Sequence, residues 1–124
     1  MLYRGAGMDT ETAVTLLVNR FPEVLARVES PQDAFTASPY LAYSLLAQEI
    51  IEKKEDDHFL NNVSSFINEL AEDGDALLEE VLVVSIFERV AEDESLADKL
   101  KVKLREKAKI LMKRVEKDYF GRAT

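Results

Sequence analysis

Apolar residues recur along this chain at intervals of three and four, the period of helices that bury one face. Val14, Leu17, Val18 and Phe21 form the first such stripe, which Asp9 or Thr10 can cap. Pro22 interrupts it and predicts a kink or restart, after which Val24, Leu25 and Val28 continue the stripe until Ser30-Pro31 ends it. Residues 31–39 read as a polar connector. Ser38-Pro39 then opens a second helix with a broad apolar face of Tyr40, Leu41, Tyr43, Leu45, Leu46, Ile50 and Ile51. Beyond a hinge at Glu52-Lys53-Lys54-Glu55, Asp56 or Asp57 caps a third helix. Its stripe of Phe59, Leu60, Val63, Phe66, Ile67 and Leu70 is the cleanest in the chain, and Gly74 stands at the stop.

The fourth segment, Ala76 to Val90, leaves almost no polar face. Val81 to Phe87 alone also suits a buried strand, but the flanking Glu79-Glu80 and Glu88-Arg89 favour helix, and a lone strand would have no pairing partner. This helix is expected at the centre of the fold. After an acidic turn at Ala91 to Glu94, Ser95 with Asp98 makes a capping box for one long last helix. Leu96, Leu100, Leu104, Ala108, Leu111, Val115 and Tyr119 would form its docking seam, and Gly121 its end. The fold class is therefore all-α, with five or six antiparallel helices. Both a compact irregular bundle and a HEAT-like curved stack fit that order, and no repeated residue pattern selects the stack. Residues 9–124 read as a single helical domain. Residues 1–8 read as a flexible tail, unless Met8 is the natural start.

Charge changes this picture by splitting it. Met1 to Asp98 carries 21 acidic and 6 basic residues, and Lys99 to Thr124 carries 3 acidic and 10 basic, within a formal net charge of −8. The acidic body argues against nucleic acid as a partner. The basic last segment could bind phosphate or an anionic membrane. A solvated face partly neutralised by acidic neighbours accounts for it better, because no Trp or Phe interleaves its cations before Phe120. No apolar run approaches the ~20 residues that span a bilayer. The N-terminus lacks the apolar core of a secretory signal, and cysteine is absent. A cytoplasmic protein is expected.

Candidate chemistry is sparse. His58, the single histidine, stands beside Asp56 and Asp57, but neighbours on a helix point in different directions. It reads as an exposed residue of a first turn rather than a general base or metal ligand. The serines lack a nucleophile-elbow context, and Asp73-Gly74-Asp75 is too short for a calcium loop. Phe21, Tyr40, Tyr43, Phe59, Phe66 and Phe87 fall within apolar stripes and read as core. The expectation is a non-enzyme with no cofactor and no metal. Carboxylates crowd two adjacent sets of helix ends, and these are the expected contact residues for a cationic protein: Glu49, Glu52, Asp56 and Asp57 at the first, Glu69, Glu72, Asp73, Asp75, Glu79 and Glu80 at the second.

Four landmarks carry a resemblance: Phe21-Pro22-Glu23-Val24, Pro39-Tyr40-Leu41, Phe66-Ile67-Asn68-Glu69-Leu70, and Val83 to Val90. Over about Thr10 to Glu92 the chain resembles a family of small bacterial helical proteins of unknown function that look like immunity proteins of polymorphic-toxin and contact-dependent inhibition systems. The resemblance does not extend to the basic last helix. It implies direct binding and neutralisation of a cognate toxin, and transfers no catalytic residue. The alternative is a structural or regulatory helical module, a monomer or homodimer, with the fourth and last helices as seams. A metal enzyme centred on His58 is the third reading.

Overall fold

The computed structural model describes residues 7–122, and among these every regular element is helical. Helix α1 (Thr10–Arg20) starts where the Asp9 carboxylate accepts the Thr12 backbone N–H at 2.8 Å. It stops at Phe21, because Pro22 opens a separate 3-10 helix, Pro22–Arg27. Proline fixes its own φ in the helical range, so the predicted restart takes this form.

The polar connector expected over 31–39 is instead mostly α2 (Pro31–Ala37), with Pro31 in its first turn. Pro31 begins a helix here as well as ending the previous stripe. Helix α3 (Pro39–Glu52) and α4 (Asp57–Asp73) follow, α4 being capped by Asp56 through the Phe59 N–H at 3.0 Å. The six apolar residues predicted for α4 are all buried. Tyr40, by contrast, is 44% exposed rather than core, since it lies on the outer side of the first turn of α3.

The ambiguous apolar segment is helical but not uniformly α. Helix α5 (Ala76–Val81), a π-helical stretch at Leu82–Phe87 and the short α6 (Glu88–Val90) run on as one rod with continuous right-handed backbone. Leu82, Ser85, Ile86 and Phe87 are buried, and the rod packs against α3, α4 and α8, as its composition predicts for a central element.

The long last helix divides in two. Helix α7 (Glu94–Lys101) is capped by Asp93 rather than Ser95, and α8 (Glu106–Phe120) begins after a turn at 102–105. The cause lies in α4. The buried Asn68 accepts the Arg105 N–H at 2.8 Å and donates to the Lys103 carbonyl at 3.5 Å, which satisfies the backbone where the helix opens. Leu104 stays buried within the turn, whereas Tyr119 is 63% exposed and leaves the expected seam. Gly121, at φ +64°, ends α8 as expected, with the Arg122 N–H bonding the Glu116 carbonyl at 3.1 Å.

Residues 1–6 of the expected tail lie outside the described residues. Met8 is held at the α4–α5 corner: its N–H donates to the Asp73 carbonyl at 2.6 Å and its carbonyl accepts the Asp75 N–H at 2.8 Å. Gly74 is needed there, because a Cβ would stand 2.5 Å from the Leu70 carbonyl oxygen.

Among the described residues, one buried side-chain polar atom has no hydrogen-bond partner. Ser64 is 1% exposed on α4 and its hydroxyl makes no hydrogen bond. Ser64→Ala removes an unpaired group without opening a cavity, and is expected to raise the unfolding free energy by about 1 kcal/mol. Urea unfolding at neutral pH checks it; a loss of stability would show that the hydroxyl has a partner.

Candidate functional site

The structure brings the ten expected contact carboxylates to helix ends but engages most of them internally. Glu49 is 4% exposed, although it belongs to the hinge set expected to be solvated. Its carboxylate accepts Arg27 Nε at 2.6 Å and Lys53 Nζ at 3.0 Å. Arg27 also reaches Glu52 at 2.6 Å, Lys53 reaches Glu23 at 3.2 Å, and Gln48 donates to Glu52 at 2.9 Å. Arg89 of α6 closes the chain by donating to Gln48 and to the Ser44 carbonyl, each at 2.7 Å.

The protonation equilibria follow these contacts. Burial pushes the Glu49 carboxyl up, but the hydrogen bonds and charges of Lys53 and Arg27 outweigh it and hold the carboxyl below its ordinary value. Glu52 is lowered by its hydrogen bond from Arg27, and Lys53 is raised by Glu49. The network is a structural clamp tying the 3-10 helix and α6 to α3.

Elsewhere, Asp57 meets Lys103 at 3.0 Å, Glu69 grips Arg20 through two hydrogen bonds of 2.7 and 2.8 Å, and Glu72 grips Arg105 likewise at 2.7 and 2.9 Å. Glu79 lies 3.5 Å from Lys107. Asp56 and Asp75 cap α4 and α5. Among the ten, only Asp73 and Glu80 make no side-chain hydrogen bond or ion pair among the described residues, and Asp73 still interacts electrostatically with Arg105.

The cations of the basic segment are accordingly divided. Lys99, Lys101, Lys103, Arg105, Lys107 and Arg122 pair with Glu55, Glu116, Asp57, Glu72, Glu79 and Glu116 respectively. Glu116 is itself 2% exposed. Lys109, Lys113, Arg114 and Lys117 make no ion pair among the described residues.

Glu80 belongs to a larger face that sequence reasoning missed. Leu77, Glu80, Val84, Glu88 and Glu92 recur at intervals of three and four along the outer side of the rod and into the turn after it. Leu77 is 50% and Val84 48% exposed, and the three carboxylates are unpaired among the described residues. The signal was present in the spacing, hidden by a composition that made the whole segment look buried.

Two further features offer less chemistry. A shallow cleft of about 330 Å³ is lined by Arg20, Phe21, Glu23, Phe59, Asn62 and Ser65. Its charged groups are already committed, Arg20 to Glu69 and Glu23 to Lys53. His58 is exposed in the first turn of α4, and no group of three or more ligating side chains among the described residues is placed to hold a metal ion. No helix among those residues is long and apolar enough to cross a membrane.

Comparison with curated proteins and with solved structures returns no match. Nothing in the comparisons ties the chain to immunity proteins or toxin systems. Residues 14–120 match the model of a domain of unknown function (DUF7674), and the chain belongs to that family.

Proposed function

We propose that this protein is a non-catalytic binding protein whose contact face is the acidic and apolar stripe Leu77, Glu80, Val84, Glu88 and Glu92. Its partner on this reading is a cationic protein domain, and its role is that of a bacterial, cytoplasmic immunity protein that neutralises a toxin by covering it. The support is a contrast. Most carboxylates of the expected contact set are engaged by cations of their own chain, whereas Glu80, Glu88 and Glu92 have no ion-pair partner among the described residues and stand beside two half-exposed aliphatic side chains. Unpaired anions steer a basic partner, and exposed Leu and Val supply the apolar contact that slows its release.

The test uses the toxin domain encoded beside this gene, if one stands there, in a purified binding assay. Glu80→Lys with Glu88→Lys is expected to slow association at low salt by about tenfold and to flatten its salt dependence. Val84→Asp is expected to speed dissociation. Binding that survives all three substitutions overturns the assignment of this face, and the absence of binding to that domain overturns the immunity role.

A further inference from the structure

The outer side of α8 mirrors the stripe on the rod. Ile110 is 46% and Phe120 37% exposed there; they bracket Lys113 and Lys117 at helical spacing, with Lys109 and Arg114 beside them and the Arg122 guanidinium 4.8 Å over the Phe120 ring. None of Lys109, Lys113, Arg114 and Lys117 has an anionic partner among the described residues, in a protein whose net charge is −8. One molecule therefore carries two faces of opposite sign whose charges have no ion-pair partner among the described residues, each mixed with exposed apolar residues at helical spacing. Within one chain they do not satisfy one another: no ion pair among the described residues joins Glu80, Glu88 or Glu92 to Lys109, Lys113, Arg114 or Lys117. Helix α8 packs against the π segment, and the Glu79–Lys107 pair joins the start of α8 to α5.

We propose that the protein self-associates through these faces, the basic side of α8 receiving the acidic stripe of a second copy. Because the two helices are neighbours, a two-fold axis running along them lays the rod of each copy on α8 of the other. One closed dimer then covers both stripes in both molecules. Glu80 and Glu88 meet the lysines of the partner, and Leu77 and Val84 meet its exposed apolar side chains. The match is electrostatic at its rim and modest in apolar content, so it is a salt-sensitive association of micromolar strength rather than an obligate one. The inference rests on the same acidic stripe as the function proposed above and adds what occupies it when no other partner is bound. A cationic competitor would have to displace the second copy.

Sedimentation velocity over a micromolar concentration series tests this with the full chain. At low salt the protein is expected to populate a dimer that dissociates as salt is raised. Lys113→Glu with Lys117→Glu, and separately Glu80→Lys with Glu88→Lys, each weaken that dimer by about tenfold or more. Mixing the two charge-reversed proteins restores a one-to-one complex, because each then offers the sign the other lacks. Circular dichroism of each variant verifies folding, and all four positions are on outer faces. A monomer at every concentration at low salt, or charge reversals that leave the dimer intact, overturns the proposal. So does a mixture that fails to reassociate. If reversal of the α8 lysines abolishes self-association while binding to a cationic partner is retained, the dimer and the function proposed above both stand. If self-association is absent and partner binding is lost on reversal of Glu80 and Glu88, only the dimer fails.

Discussion

Phe66→Ala is expected to lower the unfolding free energy by about 3–5 kcal/mol, the largest loss of any single substitution considered for this protein. Phe66 is fully buried on α4. Its ring stands edge-on to Phe21, with centroids 5.6 Å apart at 62°, and Phe21 makes the same kind of contact with Phe59 at 5.8 Å and 72°. The Arg20 guanidinium lies 5.3 Å over the Phe66 ring while it grips Glu69. Alanine removes the ring, leaves Phe21 with Phe59 as its one remaining ring contact and strips Arg20 of its aromatic support. Transfer and cavity terms dominate; the cation–π contact adds about 0.5–1 kcal/mol because Arg20 remains hydrated. Phe66→Leu keeps most of the volume and is expected to cost about 1–1.5 kcal/mol. Urea unfolding followed by circular dichroism measures both. A loss under about 1 kcal/mol for the alanine variant would mean that the three rings do not form one packed unit.

That aromatic unit was readable in the sequence only in part. The stripe from Phe59 to Leu70 exposes a 3.6-residue period, so the face that α4 buries follows from spacing alone. The partner ring does not. Phe21 reaches α4 because Pro22 stops α1 beside it, and no local pattern encodes that contact. The division of the basic segment shows the same limit more sharply. Leu100, Leu104 and Ala108 keep a spacing of four through the break, so periodicity reads straight across a turn that Asn68 imposes from α4, 37 residues from the backbone amide it receives. Asn68 is polar at a buried position, and only the fold shows which backbone groups it satisfies.

The carboxylates divide along the same line. Their density at helix ends is a property of local sequence, because Asp caps the first turn, as Asp56, Asp75 and Asp93 do. Which of them remain available to a partner depends on cations 20 to 50 residues away. Glu69 is taken by Arg20 at a separation of 49 residues and Glu49 by Arg27 at 22. Glu80 and Glu88 are left over because no cation among the described residues pairs with them. Unpaired charge, rather than total charge, is therefore the quantity that singles out a contact face.

Glu49→Gln carries the second large effect, and its pH dependence separates charge from packing. At neutral pH the substitution is expected to cost about 2 kcal/mol. Breaking a fully buried pair costs about 3–5 kcal/mol, but Arg27 and Lys53 are 25% and 38% exposed and keep Glu52 and Glu23, so the cations left behind stay partly hydrated and partly paired. Glutamine preserves the shape but only one of the two acceptor oxygens, so the loss combines the charge with one hydrogen bond, from Arg27 or from Lys53. In the folded protein the Glu49 carboxyl sits below its ordinary value of 4.5, because the Lys53 and Arg27 contacts overcome the opposing effect of burial. A lowered folded value means that the ionised form is the one folding favours. Its contribution is complete above about 4.5, the unfolded value, and drains away as pH falls through the folded one. The difference between wild type and Glu49→Gln should therefore stay constant from neutral pH to about 5 and shrink below it. Glu52, Glu72 and Asp93 are lowered by Arg27, Arg105 and Lys54 respectively, so the wild type also loses stability in that acid range from sites the variant keeps. Urea unfolding of both proteins across the acid range resolves the two contributions. A difference that persists undiminished in acid would assign the role of Glu49 to packing and remove the clamp as an electrostatic device; convergence of the two curves places the charge of Glu49 at the joint between α3, the 3-10 helix and α6.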